Sequence, residues 1–243
     1  MRGSILSLIL LLLTPTACVG SSDYAAEREA LVREIERQVI ETRFELGTDR
    51  LDPNVIAAMR SVPRHEFVPF ALRAEAYANR PLPIGAGQTI SQPYIVAIMT
   101  HLLGVKRGDK VYELGTGSGY QAAVLAEMGV DVYSVEIVPE LAARAQETLR
   151  RLGYENVSVR AGDGYLGWPE AAPFNGILVT AAAEHAPQPL IQQLAPKGRL
   201  VMPIGKGGWV QKLVVMEKTE AGTLNRRDVL PVRFVPVTGP SVR

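Results

Sequence analysis

The stretch VYELGTGSGYQAA (residues 111–123) joins a short apolar segment to an alanine-rich segment through a turn that contains three glycines. These are Gly115, Gly117 and Gly119. Glycine at such a turn lets a ligand approach the backbone N–H groups and the N-terminus of the following helix, because no side chain stands in the way. The stretch therefore predicts a strand, a ligand-binding turn and a helix, which is the first unit of an α/β fold with a parallel sheet.

The next predicted strand, DVYSVEI (residues 131–137), indicates that the ligand is a nucleoside. It places Glu136 about twenty residues after the first glycine, where an acidic side chain accepts hydrogen bonds from both ribose hydroxyls. The spacing differs from the dinucleotide fingerprint G-x-G-x-x-G, because Tyr120 occupies the sixth position counted from Gly115. A nicotinamide-dependent dehydrogenase is therefore the weaker alternative.

The spacing G-x-G-x-G, with Glu113 two residues before it, resembles motif I of the class I S-adenosylmethionine-dependent methyltransferases. That resemblance implies that the three glycines admit the methionine part of S-adenosylmethionine and that Glu113 lies near its ammonium group. It also implies a role for AGDGY (residues 161–165), in which Asp163 accepts a hydrogen bond from the adenine amino group and Gly164 leaves space beside the ring. The alternative is an ordinary βαβ turn whose acidic residues cap helices.

Strand-like and helix-like segments alternate beyond the glycine turn, as expected for right-handed βαβ units. The pattern predicts a mainly parallel, twisted sheet with helices on both faces, and the resemblance to the class I methyltransferases implies that this sheet is of their Rossmann-like fold. The tail, residues 209–237, predicts two antiparallel strands joined at Ala221 and Gly222. The further predicted strands are residues 156–163, 175–182 and 199–205, and the further predicted helices are residues 139–153 and 187–198.

The region before the glycine turn reads as a helical segment interrupted by loops. An amphipathic helix is predicted over residues 25–45, a short helix after Pro53, and a largely buried helix over residues 93–103. The proline- and glycine-rich residues 61–70 and 79–91 predict loops, because these residue types interrupt regular structure.

The composition is that of one ordinary globular domain. The 243 residues are 47% hydrophobic and 21% charged, with a net charge of +1. Because there is no basic stripe, no nucleic-acid partner is expected. His65, His101 and His185 are scattered, so no metal site is expected either. A monomer is the expected state.

Residues 1–20 differ from the rest of the chain and resemble a secretory signal peptide. Arg2 precedes an apolar run at residues 5–13, and small residues follow. Cys18, the only cysteine, stands where a lipoprotein would be acylated, so a membrane tether is an alternative. A misassigned start codon is another. A single domain is expected over residues 24–243, divided into a helical and substrate-lip region (24–106), a cofactor-binding core (107–205) and C-terminal strands (206–243).

The segment TISQPYIVA (residues 89–97) is not shared by methyltransferases in general. Together with VPRHEFVPFALRAEAY (residues 62–77), NRPLPIG (residues 79–85) and VRFVPVTG (residues 232–239), it resembles the protein-L-isoaspartate O-methyltransferase family. The resemblance extends over roughly residues 51–239. It implies a repair enzyme, whose partners are isoaspartyl-containing proteins and peptides. Such an enzyme methylates the free α-carboxylate of an isoaspartyl residue, and a succinimide then forms and hydrolyses partly to aspartate.

The same resemblance assigns the substrate side of the site. Ser91 matches the family's active-site hydroxyl and is expected to hydrogen-bond the substrate carboxylate. Thr89, Ile90 and Gln92 would shape the same lip. The backbone near Val179 to Ala182, at the end of a central strand, is a further candidate wall of the crevice.

Two features depart from the family pattern. The family is typically cytoplasmic, whereas residues 1–20 indicate export, so two locations stay open. Asn175 stands where aspartate is common in the family. Two further alternatives are a methyltransferase for a small acid or a nucleic acid, and an exported module that binds isoaspartyl segments without catalysis.

Overall fold

The computed structural model describes residues 23–206 and 208–241. The predicted signal segment, Cys18 and the tether through it lie outside the described residues. Within those residues, no helix has both the length and the apolar character needed to span a bilayer.

The described residues form nine strands and seven α-helices. The strands are β1 (Leu82–Gly85), β2 (Gln88–Ile90), β3 (Lys110–Leu114), β4 (Asp131–Glu136), β5 (Val157–Ala161), β6 (Phe174–Val179), β7 (Leu194–Ile204), β8 (Gln211–Lys218) and β9 (Leu224–Val232). The helices are α1 (Asp23–Glu41), α2 (Arg43–Leu46), α3 (Pro53–Ser61), α4 (Pro93–Leu103), α5 (Tyr120–Glu127), α6 (Pro139–Arg151) and α7 (Gln188–Gln193).

Seven strands form one sheet in the order β5-β4-β3-β6-β7-β8-β9. Strands β3 to β7 are parallel, and β8 and β9 add an antiparallel pair at one edge. The predicted α/β class, the mainly parallel sheet and the C-terminal strand pair are therefore confirmed. The predicted turn is also confirmed, since Gly222 has the positive φ of +85° that such a turn requires.

Alternate residues of the central strands point into two hydrophobic cores on opposite faces of the sheet. Val111 and Leu178 pack with α1 and α3–α6 on one face. Tyr112 and Ile177 pack with Leu190 of α7 on the other face. Helices thus cover both faces, as predicted, and the first face carries most of them.

Prolines and glycines mark where several of the helices begin and end. Pro53, Pro93 and Pro139 are first residues of helices, where a missing N–H is harmless. Helix α4 ends at Gly104, whose φ of +67° suits a left-handed cap. The predicted extent of α7 was wrong: it ends at Gln193, because Pro196 disfavours helical backbone at the residue before it.

The loop predicted over residues 79–91 was wrong as well. It contains the hairpin β1–β2, in which Leu82, Ile84 and Ile90 are buried. The hairpin turns at Ala86 and Gly87, both with positive φ. The other predicted loop, residues 61–70, contains the short 3-10 helix Arg64–Phe67, and a second 3-10 helix, Phe70–Glu75, begins at its last residue.

Candidate active site

The glycine loop lies where the strand order of the sheet reverses, between β3 and β6. Open α/β sheets bind ligands at this point, outside the carboxyl ends of the strands. The Thr180 hydroxyl, just after β6, donates to the carbonyls of Leu114 at 2.9 Å and Gly115 at 2.6 Å. The Gly115 N–H donates to the carbonyl of Val135 at 2.8 Å. The two neighbouring strands therefore hold the loop in place.

A cavity of about 800 Å³, its open mouth included, lies above this loop. Its wall contains Gly115, Gly117, Glu136 and Gly164, four of the predicted cofactor residues. The hairpin and the C-terminal tail complete it, through residues that include Thr89, Ile90, Ser91, Val237 and Thr238.

Glu136 is 4% exposed and its carboxylate is held by two backbone donors. The N–H of Gly117 donates to Oε2 at 2.7 Å, and the N–H of Val138 donates to Oε1 at 3.0 Å. Each carboxylate oxygen has a second lone pair, so the group can still accept hydrogen bonds from the two hydroxyls of a ribose. The structure thus places Glu136 where the spacing predicted it.

Glu113 does not line the cavity, although a contact with the cofactor ammonium was predicted. It is fully buried below the loop, where Oε2 accepts a hydrogen bond from the Ser134 hydroxyl. Ser134 in turn contacts the Thr116 hydroxyl. Burial raises the pKa of Glu113 to about 8, and the nearby Glu136 carboxylate adds to the rise. Glu113 therefore supports the glycine loop from beneath.

Three other predicted residues lie beside the cavity. Gly119 is the N-cap of α5 with a φ of +88°, and a side chain there would meet Ala145 and Leu149 of α6, so it serves helix packing. Asp163 accepts backbone hydrogen bonds from Tyr165 and Ser241, each at 3.0 Å. Val179 is fully buried in the sheet. Thr180 and Ala181, which belong to the same predicted wall, line the cavity.

A second cavity, of about 1550 Å³ with its open mouth, adjoins the first. Both cavities are lined by Thr89, Ser91, Thr180, Val235 and Pro236. Gln92 lines the second cavity only. All four predicted lip residues are thus brought together beside the cofactor cavity.

The Ser91 hydroxyl is free to meet a ligand. Helix α4 begins after Gln92, which has no side-chain capping bond, and no side-chain hydrogen bond of Ser91 occurs within residues 23–206 and 208–241. The Ser91 carbonyl, by contrast, accepts a hydrogen bond from Arg64 at 2.9 Å. The backbone is therefore fixed and the hydroxyl is left at the boundary of the two cavities.

The contribution of the C-terminal tail was not predicted. Residues 235–238 line the cofactor cavity together with residues of the predicted cofactor-binding core, 107–205. The side of the tail that faces the cavity depends on long-range packing, such as the hydrogen bond from Ala182 N–H to the Val235 carbonyl at 2.8 Å. The pattern of the tail itself carries no signal of this contact.

A substitution of Gly115 by alanine should damage the loop and the cofactor site together. Gly115 has a φ of +96°, and an added Cβ would lie 2.4 Å from the Thr180 hydroxyl oxygen. Gly153 is the matched control, because it has a φ of +82° and open space around it. We expect each variant to lose about 1–2 kcal/mol from the backbone conformation. Only Gly115→Ala should also lose affinity for S-adenosylhomocysteine in calorimetry, and equal affinities would contradict this account.

Comparison with known proteins agrees with this geometry. The family model described as protein-L-isoaspartate(D-aspartate) O-methyltransferase matches residues 36–241. The chain belongs to this family. It is 56% identical over 239 residues to protein-L-isoaspartate O-methyltransferase 2 of Syntrophobacter fumaroxidans, covering 98% of this chain and 97% of the relative.

Two solved structures of protein-L-isoaspartate O-methyltransferases are also similar. One has a TM-score of 0.75 at 29% identity, and the match covers 87% of this chain and 66% of the other. The second, from Plasmodium falciparum and in complex with S-adenosyl-L-homocysteine, has a TM-score of 0.72 at 25% identity, and the match covers 88% of this chain and 98% of the other.

Asn175, the residue that departs from the family pattern, accepts a hydrogen bond from the Lys110 N–H at the start of β3 and lines neither cavity.

Proposed function

We propose that this protein-L-isoaspartate O-methyltransferase transfers a methyl group from S-adenosylmethionine to the free α-carboxylate of L-isoaspartyl residues in damaged proteins. The observation that carries the proposal is the shared wall of the two cavities. Methyl transfer needs donor and acceptor side by side, and Ser91 and Thr180 border both cavities. The product ester then closes to a succinimide, which hydrolyses partly to aspartate.

The cofactor cavity offers the open backbone and the hydrogen-bonding groups that S-adenosylmethionine requires. Gly117 has a φ of +55°, and a Cβ built on it would meet only the tip of Ile84 at 3.5 Å, so the glycine leaves an open cradle. We assign Gly115 and Gly117 to the methionine part of the cofactor and Glu136 to the ribose hydroxyls. Gly164 is assigned to the adenine ring, because it lines the cavity while Asp163 does not.

The chemistry explains why the site needs no strong base. When bound, S-adenosylmethionine supplies a methyl group on a positively charged sulfur. The substrate carboxylate is already ionised at neutral pH and acts as the nucleophile. The reaction neutralises two opposite charges, so walls that exclude water favour it. Ile90 and Val235 supply such apolar walls, and the described residues hold no cluster that could bind a metal.

In this reaction Ser91 orients the substrate. Its free hydroxyl donates to one oxygen of the α-carboxylate and leaves the other oxygen directed at the cofactor cavity. Thr89 and Gln92 line the outer cavity beside it and contact the substrate backbone. We propose that the enzyme acts as a monomer, since the residues assigned to the cofactor and those assigned to the substrate belong to the same chain.

A matched peptide pair tests the proposed activity. The full-length protein is given labelled S-adenosylmethionine and either a peptide with one isoaspartate or the same peptide with aspartate. We expect base-labile label on the isoaspartyl peptide only. Label on neither peptide, although S-adenosylhomocysteine binds, would favour the non-catalytic binding module. Equal label on both would indicate a methyltransferase of broader specificity.

A further inference from the structure

Arg64 is a buried charge that lines neither of the two cavities. It begins the 3-10 helix Arg64–Phe67 in the segment VPRHEFVPF, and its side chain is fully buried. Burial lowers its pKa to about 10, although the phenols of Tyr120 and Tyr77 act in the opposite direction, and the guanidinium stays charged at neutral pH. A charge buried without a carboxylate partner is unfavourable, so its surroundings must stabilise it in another way.

Backbone carbonyls from two segments accept hydrogen bonds from the guanidinium. Its Nε donates to the carbonyl of Ala76 at 2.8 Å, and Nη2 donates to the carbonyl of Ser91 at 2.9 Å. Nη2 also approaches the carbonyl of Arg80 at 3.5 Å. Arg80 lies shortly before hairpin β1–β2, and Ser91 follows it directly. Arg64 thus ties together the two ends of the hairpin that carries the substrate lip.

The guanidinium also contacts a residue that lines the cofactor cavity. Its central carbon lies 4.8 Å from the ring centroid of Tyr120, a cation–π contact. Tyr120 is the first residue of α5, directly after the glycine loop, and lines the cofactor cavity. One planar guanidinium group therefore joins the Ser91 peptide to the helix that follows the glycine loop.

We propose that Arg64 is a positioning residue, which fixes the Ser91 hydroxyl relative to the methyl donor by holding the Ser91 carbonyl against the start of α5. The proposal rests on the methyl transfer proposed above. A lysine at this position keeps the charge but loses the fork of N–H groups that spans the carbonyls. The hairpin should then shift relative to the cofactor cavity, and small displacements of reacting groups lower the rate strongly.

The test is a double-mutant cycle with Arg64→Lys, Ser91→Ala and the combined variant, using kcat for the isoaspartyl peptide. We expect Arg64→Lys to lower kcat by about 10- to 100-fold in the wild-type background. In the Ser91→Ala background the same change should have little effect, because Arg64 acts through a hydroxyl that is no longer present. Losses of equal factor in both backgrounds would overturn the proposal and leave Arg64 a purely structural role.

Arg199→Lys is the matched control. Arg199 is a half-buried arginine that pairs with Glu217 at 2.9 Å and reaches the Leu102 carbonyl at 3.5 Å, and it lines neither cavity. Arg199→Lys should change kcat by the same factor in the wild-type and the Ser91→Ala backgrounds. Inactivity of the wild-type enzyme on the isoaspartyl peptide would count against the proposed function, whereas additive losses in an active enzyme count against Arg64 alone.

A measurement on the wild-type protein covers the case in which Arg64→Lys fails to fold. Protein with ¹⁵N-labelled arginine side chains is saturated with S-adenosylhomocysteine and titrated with each peptide of the matched pair. Since Arg64 is bonded to the Ser91 peptide, its Nε–H resonance should shift with the isoaspartyl peptide and stay in place with the aspartyl peptide. An unchanged resonance at saturating isoaspartyl peptide would overturn the proposal.

Discussion

Ser91→Ala is expected to lower kcat for an isoaspartyl peptide by about 100-fold, because the carboxylate loses its orientation toward the methyl group. Affinity for S-adenosylhomocysteine should stay unchanged, since the ribose is assigned to Glu136 and the methionine part to the glycine loop. The hydroxyl is free of other hydrogen bonds within the described residues, so its removal leaves no buried partner unsatisfied. The variant should therefore fold as stably as the wild type, and steady-state kinetics measure the effect directly.

The chemistry distinguishes orientation from charge stabilisation at Ser91. Methylation converts an anionic carboxylate into a neutral ester, so a donor to that carboxylate binds the ground state at least as well as the transition state. The benefit of the hydroxyl must then come from placement. Ser91→Thr keeps the hydroxyl and should recover most of the rate, whereas Ser158→Ala, an exposed serine on edge strand β5, should have no effect. A Ser91→Ala variant with wild-type kcat would remove Ser91 from the reaction.

The part of the site that follows one βαβ unit was accessible from the sequence. The glycines, the helix after them and Glu136 are separated by short, regular segments, and strand and helix periodicity fixes where such residues lie relative to one another. Gly117 and Glu136 are accordingly in direct contact through a 2.7 Å hydrogen bond. The order of strands at the edge, with the hairpin of β8 and β9, also follows from a local turn signal.

The remaining features depend on contacts between distant segments. Glu113 is buried rather than exposed to the cavity because Ser134 lies opposite it on the neighbouring strand β4. The hairpin β1–β2 forms because Leu82 and Ile90 find a core that other elements supply. The tail reaches the cofactor cavity through its contact with Ala182. The periodicity of one segment does not encode its pairing with a distant segment. The proline and glycine content of residues 79–91 therefore indicated a loop where the structure has a hairpin.

The free energy of unfolding of Glu113→Gln is expected to rise relative to that of the wild type as the pH increases. The folded-state pKa of Glu113 is about 8, raised from the ordinary value of 4.5 by burial. At a pH between these two pKa values, the folded state holds a proton that the unfolded state has lost. The contribution of Glu113 to the free energy of unfolding therefore falls as the pH rises. That contribution is fully present below pH 4.5 and is lost as the pH approaches 8, at a total cost of several kcal/mol, since each pKa unit corresponds to about 1.4 kcal/mol.

Glutamine cannot ionise, so the variant should lack this loss. Its amide oxygen can accept the hydrogen bond from Ser134 as the carboxyl oxygen does, which keeps the support of Thr116 and the glycine loop. Urea denaturation at pH 5.5, 7 and 8.5 should therefore show a stability difference between variant and wild type that grows in favour of glutamine. Glu140→Gln, on the exposed first turn of α6, should give a constant difference over the same range. Parallel curves for Glu113→Gln would mean that Glu113 stays ionised in the folded protein, and that the loop rests on a charged carboxylate after all.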